Sequence, residues 1–403
     1  MKTIPESIKK FILIGLSLFL FKSVLLAYAY AFNPEQYNLF NQSYYTASLL
    51  ILFGSLGFNI SQTRLPVKTT TIFFFITVNT IITYFILHLI SKPFQSIEEI
   101  IPIIVYSVFV AAGGVLNFKL LFDGKYQKYF WVMLIFAAAH FMIIPAVLFF
   151  NVSIFTFLAL FTIIWFIIVF KLFDTSISVN KSYSDYYKIG FSAFVINSAV
   201  SLGLAGDKFI VNHFFATDIA NAYTFAWSLT APIFYIGNMI EKYLFAEQKP
   251  DKTRILKKGF LFSVILISIY SFGIIIIITF FPELLPDSIS KEIFKQIFIF
   301  MITGYSVYVI FHFPLNTYLF KVIETSRQKT ISIYFSFIIL LFAGVFYYII
   351  NYATLIDYRT LLITVWIYIF ILLIVKAVII FKGKVNYFKR PDDIITDEIQ
   401  EIP

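Results

Sequence analysis

Apolar residues occur along this chain in runs of about twenty, separated by short polar stretches. A helix crossing a bilayer needs about 20 mostly apolar residues. Twelve runs meet that length: 11–31, 40–60, 70–91, 101–121, 129–150, 153–171, 189–212, 221–244, 258–281, 296–320, 329–350 and 360–381. Most are apolar on every face, as helices surrounded by lipid are. Tyr and Trp stand near several ends, such as Tyr129 with Trp131 and Tyr347 with Tyr348, where amphipathic rings suit the interface. The first run follows Lys9 and Lys10, but it is too long for a signal peptide, Lys22 interrupts it and no small-residue cleavage site follows. It reads as a retained helix.

The distribution of charge supports this division. With the N-terminus in the cytoplasm, the inner segments and their helix borders carry 24 of the 31 basic residues, against four in the outer loops (Lys92, Lys291, Lys295 and Arg359). Adding or removing one helix destroys that bias, so both termini are expected on the cytoplasmic side. The expected class is an all-α integral membrane protein of about twelve transmembrane helices. Composition agrees: 60% hydrophobic residues and 13% charged is about half the charge of a soluble domain. The net charge of +9 therefore reads as membrane-facing rather than as a nucleic-acid surface. There is no cysteine, which excludes disulfides and thiolate chemistry, and the four histidines show no metal-ligand spacing. No cofactor is expected. The tail 382–403 passes from basic (Lys382, Lys384, Lys389, Arg390) to acidic (Asp392, Asp393, Asp397). Its basic part suits anionic headgroups and its acidic end a solvated tail.

The chain divides into six helices plus six: residues 1–171, a cytoplasmic linker at 172–188, residues 189–381, and the tail. Lys22 is followed fifteen residues later by Tyr37, and Lys208 fifteen residues later by Tyr223. Between them, each half has a short polar outer segment (Asn33 to Gln36, Thr217 to Asn221) before its second helix. Equivalent helices run the same way, so the repeat is parallel, and the expected form is two six-helix lobes around a central cavity. Such repeats occur in secondary transporters, with the substrate path between the halves.

Ionisable groups at membrane depth mark candidate sites. Lys22 lies about 16 Å from either end of its helix, beyond the reach of its own stem to headgroups, which points to a water-filled interior. The competing readings are an ion pair or a displaced helix boundary. Asp207 and Lys208 are neighbours in the seventh helix. Neighbours project about 100° apart, so they need not pair with each other; Asp207 suits a pair with either lysine, a coupling role through proton uptake, or a salt bridge near the outer interface. Arg64 stands either at the inner mouth of the cavity or as a simple cytoplasmic anchor. His140 and His312, mid-helix, read first as buried histidines bonded to neighbouring helices and second as proton relays. Asn79, Asn197 and Asn238 suit interhelical hydrogen bonds, and Gly113-Gly114 a point of close packing or flexing. No phosphate-binding loop, HExxH or GxSxG is present, so transport driven by an ion gradient is expected rather than catalysis.

The stretch YYKIGFSAFVINSAVSLGLAGDKFIVNHFFATDIANAYTFAWSLTAP (Tyr186 to Pro232) resembles Wzx-type polysaccharide and O-antigen flippases of the multidrug/oligosaccharidyl-lipid/polysaccharide exporter superfamily. Asp207, Ala222 and Tyr223 carry the likeness. Pro34 to Arg64 (PEQYNLFNQSYYTASLLILFGSLGFNISQTR) resembles the same family, with Asn38 where a Gly is usual. The resemblance implies a flippase moving undecaprenyl-pyrophosphate-linked oligosaccharide across the inner membrane by alternating access. Lys22, Lys208 and Arg64 would attract the pyrophosphate, H⁺ or Na⁺ would be the coupling ion, and polymerases are possible partners. Two alternatives stand beside it. An ion-coupled multidrug exporter of the same superfamily should prefer an acidic cavity, whereas the intramembrane charges here are mainly lysine. A membrane-embedded polymerase or glycosyltransferase needs a sizeable outer loop, and none exceeds about 15 residues.

Overall fold

A computed structural model describes residues 6–64, 67–91, 97–150, 153–171, 183–246, 252–286, 289–322, 325–352 and 357–382. The tail beyond Lys382 and most of the expected linker lie outside the described residues. Those described form fourteen α-helices and one 3-10 turn (282–284), with no strand. The first lobe holds α1 (Glu6–Ala31), α2 (Pro34–Ser55), α3 (Phe58–Arg64), α4 (Thr69–Ser91), α5 (Ile97–Phe122), α6 (Tyr126–Phe141), α7 (Ile143–Phe150) and α8 (Ile154–Lys171). The second holds α9 (Tyr183–Phe214), α10 (Thr217–Ala246), α11 (Lys252–Phe280), α12 (Lys291–Val322), α13 (Thr325–Asn351) and α14 (Tyr358–Lys382). Counting α2 with α3 and α6 with α7, these are twelve rods.

Two rods are broken where the sequence pattern predicts continuity, and each break has a local cause. Between α2 and α3 the backbone turns left-handed at Leu56 (φ 39°) and Gly57 (φ 69°). Between α6 and α7, Pro145 cannot donate to the ladder and its ring opposes the carbonyl four residues back. The helix accordingly ends at Phe141.

Several helices also begin earlier than hydropathy indicates. Asn33 to Gln36, expected as an outer loop, is instead a capped helix start: the Asn33 side chain accepts from the Gln36 N–H at 2.8 Å, the Gln36 side chain accepts from the Asn33 N–H at 3.3 Å, and Pro34 takes the first turn. Thr217 to Asn221 is likewise the first turn of α10, and Tyr183 to Lys188 of the expected linker belongs to α9. Hydropathy detects only the lipid-embedded part of a helix. Polar first turns satisfy their free N–H groups outside the lipid.

The two lobes repeat one packing plan. In the first, α2 packs on α4 and α5, α1 on α6, and α5 on α8; in the second, α10 packs on α11 and α12, α9 on α13, and α12 on α14. The seam between lobes has the same symmetry, with α1 against α10 and α2–α3 against α9. Seven rods among the described residues are long and apolar enough to cross a membrane: α4, α5, α6–α7, α11, α12, α13 and α14, with α8 a shorter apolar helix. The seam is formed by α1, α2–α3, α9 and α10. Of these, α2, α9 and α10 are more polar than the other long rods. Polar residues that face the seam rather than lipid are not penalised by hydrocarbon.

Along the seam α2–α3 and α9 run antiparallel in close contact. Gln42 donates to the Asn212 carbonyl at 2.7 Å near one end, Phe53 packs on Phe194 in the middle, and Ser61 donates to the Tyr186 carbonyl at 2.8 Å near the other. At the helix break two glycines let the backbones meet. A Cβ on Gly57 would overlap the Gly190 carbonyl oxygen, and one on Gly190 would sit 2.8 Å from Ser61 Oγ and 2.9 Å from the Leu56 carbonyl oxygen. Gly113 has a comparable packing role, lying against the Trp165 ring of α8, whereas Gly114 faces open space.

Gly57→Ala therefore meets both a left-handed backbone, about 1–2 kcal/mol for a residue with a Cβ, and a steric overlap across the seam. It is expected to lower the melting midpoint of the detergent-solubilised protein by several degrees, while Gly114→Ala leaves it within a degree. Equal midpoints for the two variants would show that the lobes are not held at this contact.

Candidate functional site

The most heavily charged buried spot among the described residues lies near the end of α9 that leads into the α9–α10 turn. Asp207 and Lys208 are both fully enclosed, and they bond to each other: Lys208 Nζ lies 2.8 Å from Asp207 Oδ1. Sequence spacing leaves this pairing open, because neighbours diverge around a helix. The lysine stem is long enough to curl back, and its ammonium also donates to the Leu204 carbonyl one turn earlier. The Asp207 carboxylate is saturated from several sides. Oδ1 accepts the Lys208 backbone N–H at 2.7 Å, and Oδ2 accepts the Tyr223 hydroxyl at 2.7 Å from α10. The Lys208 ammonium stands 3.5 Å over the Trp227 ring, within the range of a cation–π contact.

One turn further along, Asn212 extends the network. Its Nδ2 donates to the Lys208 carbonyl at 2.8 Å and to Thr224 Oγ1 at 2.9 Å, and its own carbonyl receives Gln42 from the opposite lobe. The charged pair is therefore tied by a short chain of hydrogen bonds to the seam. Of the other expected site residues, α1 carries Lys22 and α3 carries Arg64, but the side chains of both lie outside the described residues, as does that of Asn197.

A second buried polar cluster escapes the sequence reading. Asn316 of α12 donates to Glu241 Oε1 of α10 at 2.6 Å and accepts from Lys376 Nζ of α14 at 3.0 Å. Each residue stands five or six positions from the end of its helix; Lys376 is legible as a lysine inside an apolar run, but its partners are not. Only the convergence of three helices reveals the cluster. Lys376 is 1% exposed. The histidines divide. His140 is a fully bonded structural residue: Nδ1 bonds the Phe136 carbonyl at 2.7 Å, Nε2 lies 3.1 Å from the Tyr106 hydroxyl of α5, and Tyr28 of α1 donates to its carbonyl at 2.7 Å. His312 bonds within its own helix, Nδ1 to the Tyr308 hydroxyl at 2.6 Å. Asn79 donates from α4 to the Gly54 carbonyl of α2 at 3.3 Å.

At the same end of the bundle as Asp207, a cleft of about 770 Å³ lies between the α1–α2 junction and the 3-10 turn, lined by Tyr30, Phe32, Asn33, Glu283 and Leu284 among others. The Tyr30 hydroxyl crosses it to the Leu284 carbonyl at 2.7 Å.

No family model matches the sequence, and no curated protein matches it. Solved structures do match its fold. The chain is similar to the outward-facing form of a multidrug resistance MATE family transporter of the MOP superfamily, with TM-score 0.54, 15% identity and 92% of each chain covered. It is similar to the inward-facing form of such a transporter, with TM-score 0.53, 14% identity, and 88% of this chain and 92% of the other covered. A third is a MOP superfamily transporter from Pyrococcus furiosus, described as having a binding pocket of reverse polarity that suggests a different function. There the TM-score is 0.52, the identity 15%, and the coverage 93% of this chain and 94% of the other. The fold is thus the all-α membrane fold of these transporters, twelve helices in two lobes.

Removing one partner of a buried ion pair strands the other, at a cost of about 3–5 kcal/mol. Lys208→Met and Asp207→Asn are each expected to lower the melting midpoint and the membrane abundance, Lys208→Met more strongly, because it leaves a buried carboxylate without its counter-charge. The double variant recovers most of the loss. Three equal midpoints would show that the pair is solvated in the working protein.

Proposed function

We propose that the protein is a secondary-transporter flippase of the inner (cytoplasmic) membrane. It carries undecaprenyl-pyrophosphate-linked oligosaccharide from the inner to the outer leaflet for surface polysaccharide synthesis, by alternating access. The observation that carries this reading is the Lys208 ammonium: a cation held in the lobe core, bonded through Asn212 to the seam where the lobes meet. A pyrophosphate is the strongest competitor for such a cation. Unit charges 4 Å apart attract by about 4 kcal/mol at an effective dielectric of 20, and a diphosphate carries more than one. Lys22 on α1 and Arg64 on α3 stand on rods of the same seam, and the flippase resemblance gives them the same role. Solved inward- and outward-facing forms of this fold support the alternating-access scheme. The Pyrococcus furiosus protein, with its pocket of reverse polarity, supports the idea that pocket charge varies with cargo on this fold.

A multidrug exporter is the second reading, and one observation favours it. Trp227, Tyr223 and Tyr305 surround the Asp207 carboxylate and the ammonium over it, and an aromatic box with one acid also suits an organic cation.

The two readings separate by binding. Protein in nanodiscs is expected to bind undecaprenyl pyrophosphate in preference to ethidium, with Lys22→Ala and Lys208→Ala each weakening lipid binding at least tenfold. Lys22→Arg should retain most of it, because charge is the requirement. Tight ethidium binding that depends on Asp207, with no binding of the lipid, would establish the exporter instead.

Placement in the membrane is tested separately, with the absence of native cysteine as an advantage. Cysteines at the exposed positions Asn33, Ser153 and Asp357 are expected to react with an impermeant maleimide on intact cells. Cysteines at the exposed positions Lys68 and Lys125 are expected to react only after lysis. The reverse pattern would place both termini outside.

A further inference from the structure

The cleft beside the α1–α2 junction takes its two walls from different lobes. One wall is the end of α1 and the start of α2, with Tyr30, Asn33 and Pro34; the other is the 3-10 turn between α11 and α12, with Glu283 and Leu284. Both walls are held in shape. Asn33 and Gln36 cap each other, and the Asn221 side chain donates from α10 to the Pro34 carbonyl at 3.1 Å. Tyr30 meets Phe225 of α10 edge to face, with ring centroids 6.1 Å apart. Opposite, the Leu284 N–H donates to the Phe281 carbonyl at 3.1 Å and the Leu285 N–H to the Pro282 carbonyl at 3.2 Å, and the Leu285 side chain is buried. Walls already ordered bind a ligand without paying for ordering. The volume of about 770 Å³ falls in the range of small-molecule pockets, about 300–1,000 Å³.

The lining has a specific chemistry. Tyr30 is 59% exposed, which alone suits an interfacial belt. A belt tyrosine turns its hydroxyl to water or headgroups, whereas this one donates to the Leu284 carbonyl of the other lobe at 2.7 Å. The Glu283 carboxylate is exposed and makes no hydrogen bond or ion pair among the described residues. Asn33 spends its side-chain oxygen on the cap of α2, which leaves two amide N–H donors. No Lys or Arg among the described residues lines the cleft. An aromatic face, a carboxylate, an amide donor and a backbone carbonyl, with no cation, match a neutral sugar. The C–H face of a pyranose packs on the ring, and its hydroxyls donate to the oxygens and accept from the amide. Bonds to an ionised acceptor are about twice as strong as neutral ones. The same carboxylate repels a phosphate.

We infer that this cleft is a saccharide site at the outer mouth, taking sugar rings of the cargo as they leave between the lobes. The inference rests on the transport reading above and adds a site to it. Parting of the two walls breaks the Tyr30–Leu284 bond and strands a phenol and a carbonyl. Sugar hydroxyls replace both partners, so opening costs less while a sugar occupies the mouth. The pyrophosphate meets its cation at the enclosed Lys208, and an acidic mouth offers it no second resting place. The two chemical parts of the cargo are thus held by separate sites.

The test uses full-length protein in nanodiscs and saturation-transfer NMR, with maltotriose, cellotriose and chitotriose as probes. At least one of the three is expected to bind the wild type, with saturation strongest at the ring C–H protons. Tyr30→Ala and Glu283→Gln are each expected to weaken that binding at least fivefold, while Tyr30→Phe, which keeps the ring, stays within twofold. Both side chains are exposed, so melting midpoints should stay within two degrees of wild type. Tyr352→Ala, at an exposed tyrosine outside the cleft, should leave binding within twofold; an equal loss there overturns the site in favour of a general aromatic belt. Affinity for sugar-free undecaprenyl pyrophosphate is expected to stay within twofold in all four variants. Binding of none of the three sugars overturns the site, even in a wild type that binds the pyrophosphate lipid, and so does sugar binding indifferent to Tyr30→Ala and Glu283→Gln. Sugar binding that is lost in those two variants, in a wild type that does not bind the pyrophosphate lipid, keeps the site and removes the cargo assigned above.

Discussion

A charge taken out of water must be answered by another charge or by dipoles, and in this molecule that requirement organises the second lobe. The Asp207 carboxylate and Lys208 ammonium have no solvent to share. The surrounding helices therefore supply what water would: a tyrosine hydroxyl from α10, a backbone carbonyl of α9, and the face of Trp227. Each donor fixes a helix rotation. Tyr223 and Trp227, four residues apart, commit one face of α10 to the pair, and Asn212 with Thr224 locks the next turn of the two helices together. The desolvation cost of the pair is thus also the source of register in this part of the lobe.

The seam depends on a different economy, that of close backbone approach. Gly57 and Gly190 remove the side chains that would hold α3 and α9 apart, and hydrogen bonds fasten the two ends, Gln42 and Thr46 at one and Ser61 and Gln62 at the other. Because Gln42 bonds the carbonyl of the residue that also bonds Lys208, parting of the seam at that point is felt by the charged pair without any long intermediary.

How much of this was legible in the sequence follows from where the physics is local. Membrane class, helix number and the halving of the chain are written in run lengths and in the placement of lysines, both properties of single segments. The importance of Asp207 and Lys208 was also visible, because an ion inside an apolar run is conspicuous. Their mutual bond was not, since it depends on a side-chain fold-back that helical geometry permits without requiring. The Glu241–Asn316–Lys376 cluster was hidden for a different reason: Lys376 stands inside an apolar run, but nothing in that run names its partners, and only the packing of α10, α12 and α14 brings them together. The helix breaks were written in Gly57 and Pro145 but are masked by hydropathy, which registers neither φ nor a missing N–H.

Both breaks fall in the first lobe, whereas their counterparts in the second, α10 and α13, run unbroken. A rod whose hydrogen-bond ladder is already interrupted bends without sacrificing further bonds; in the second lobe Pro232 of α10 and Pro314 of α12 each remove a ladder bond but leave the helix continuous. The duplicated halves are therefore mechanically unequal. The first has two full joints, the second has continuous rods, and the second carries the buried charges described above. Bending at those joints therefore need not disturb the hydrogen bonds that hold Asp207, Lys208 and Lys376.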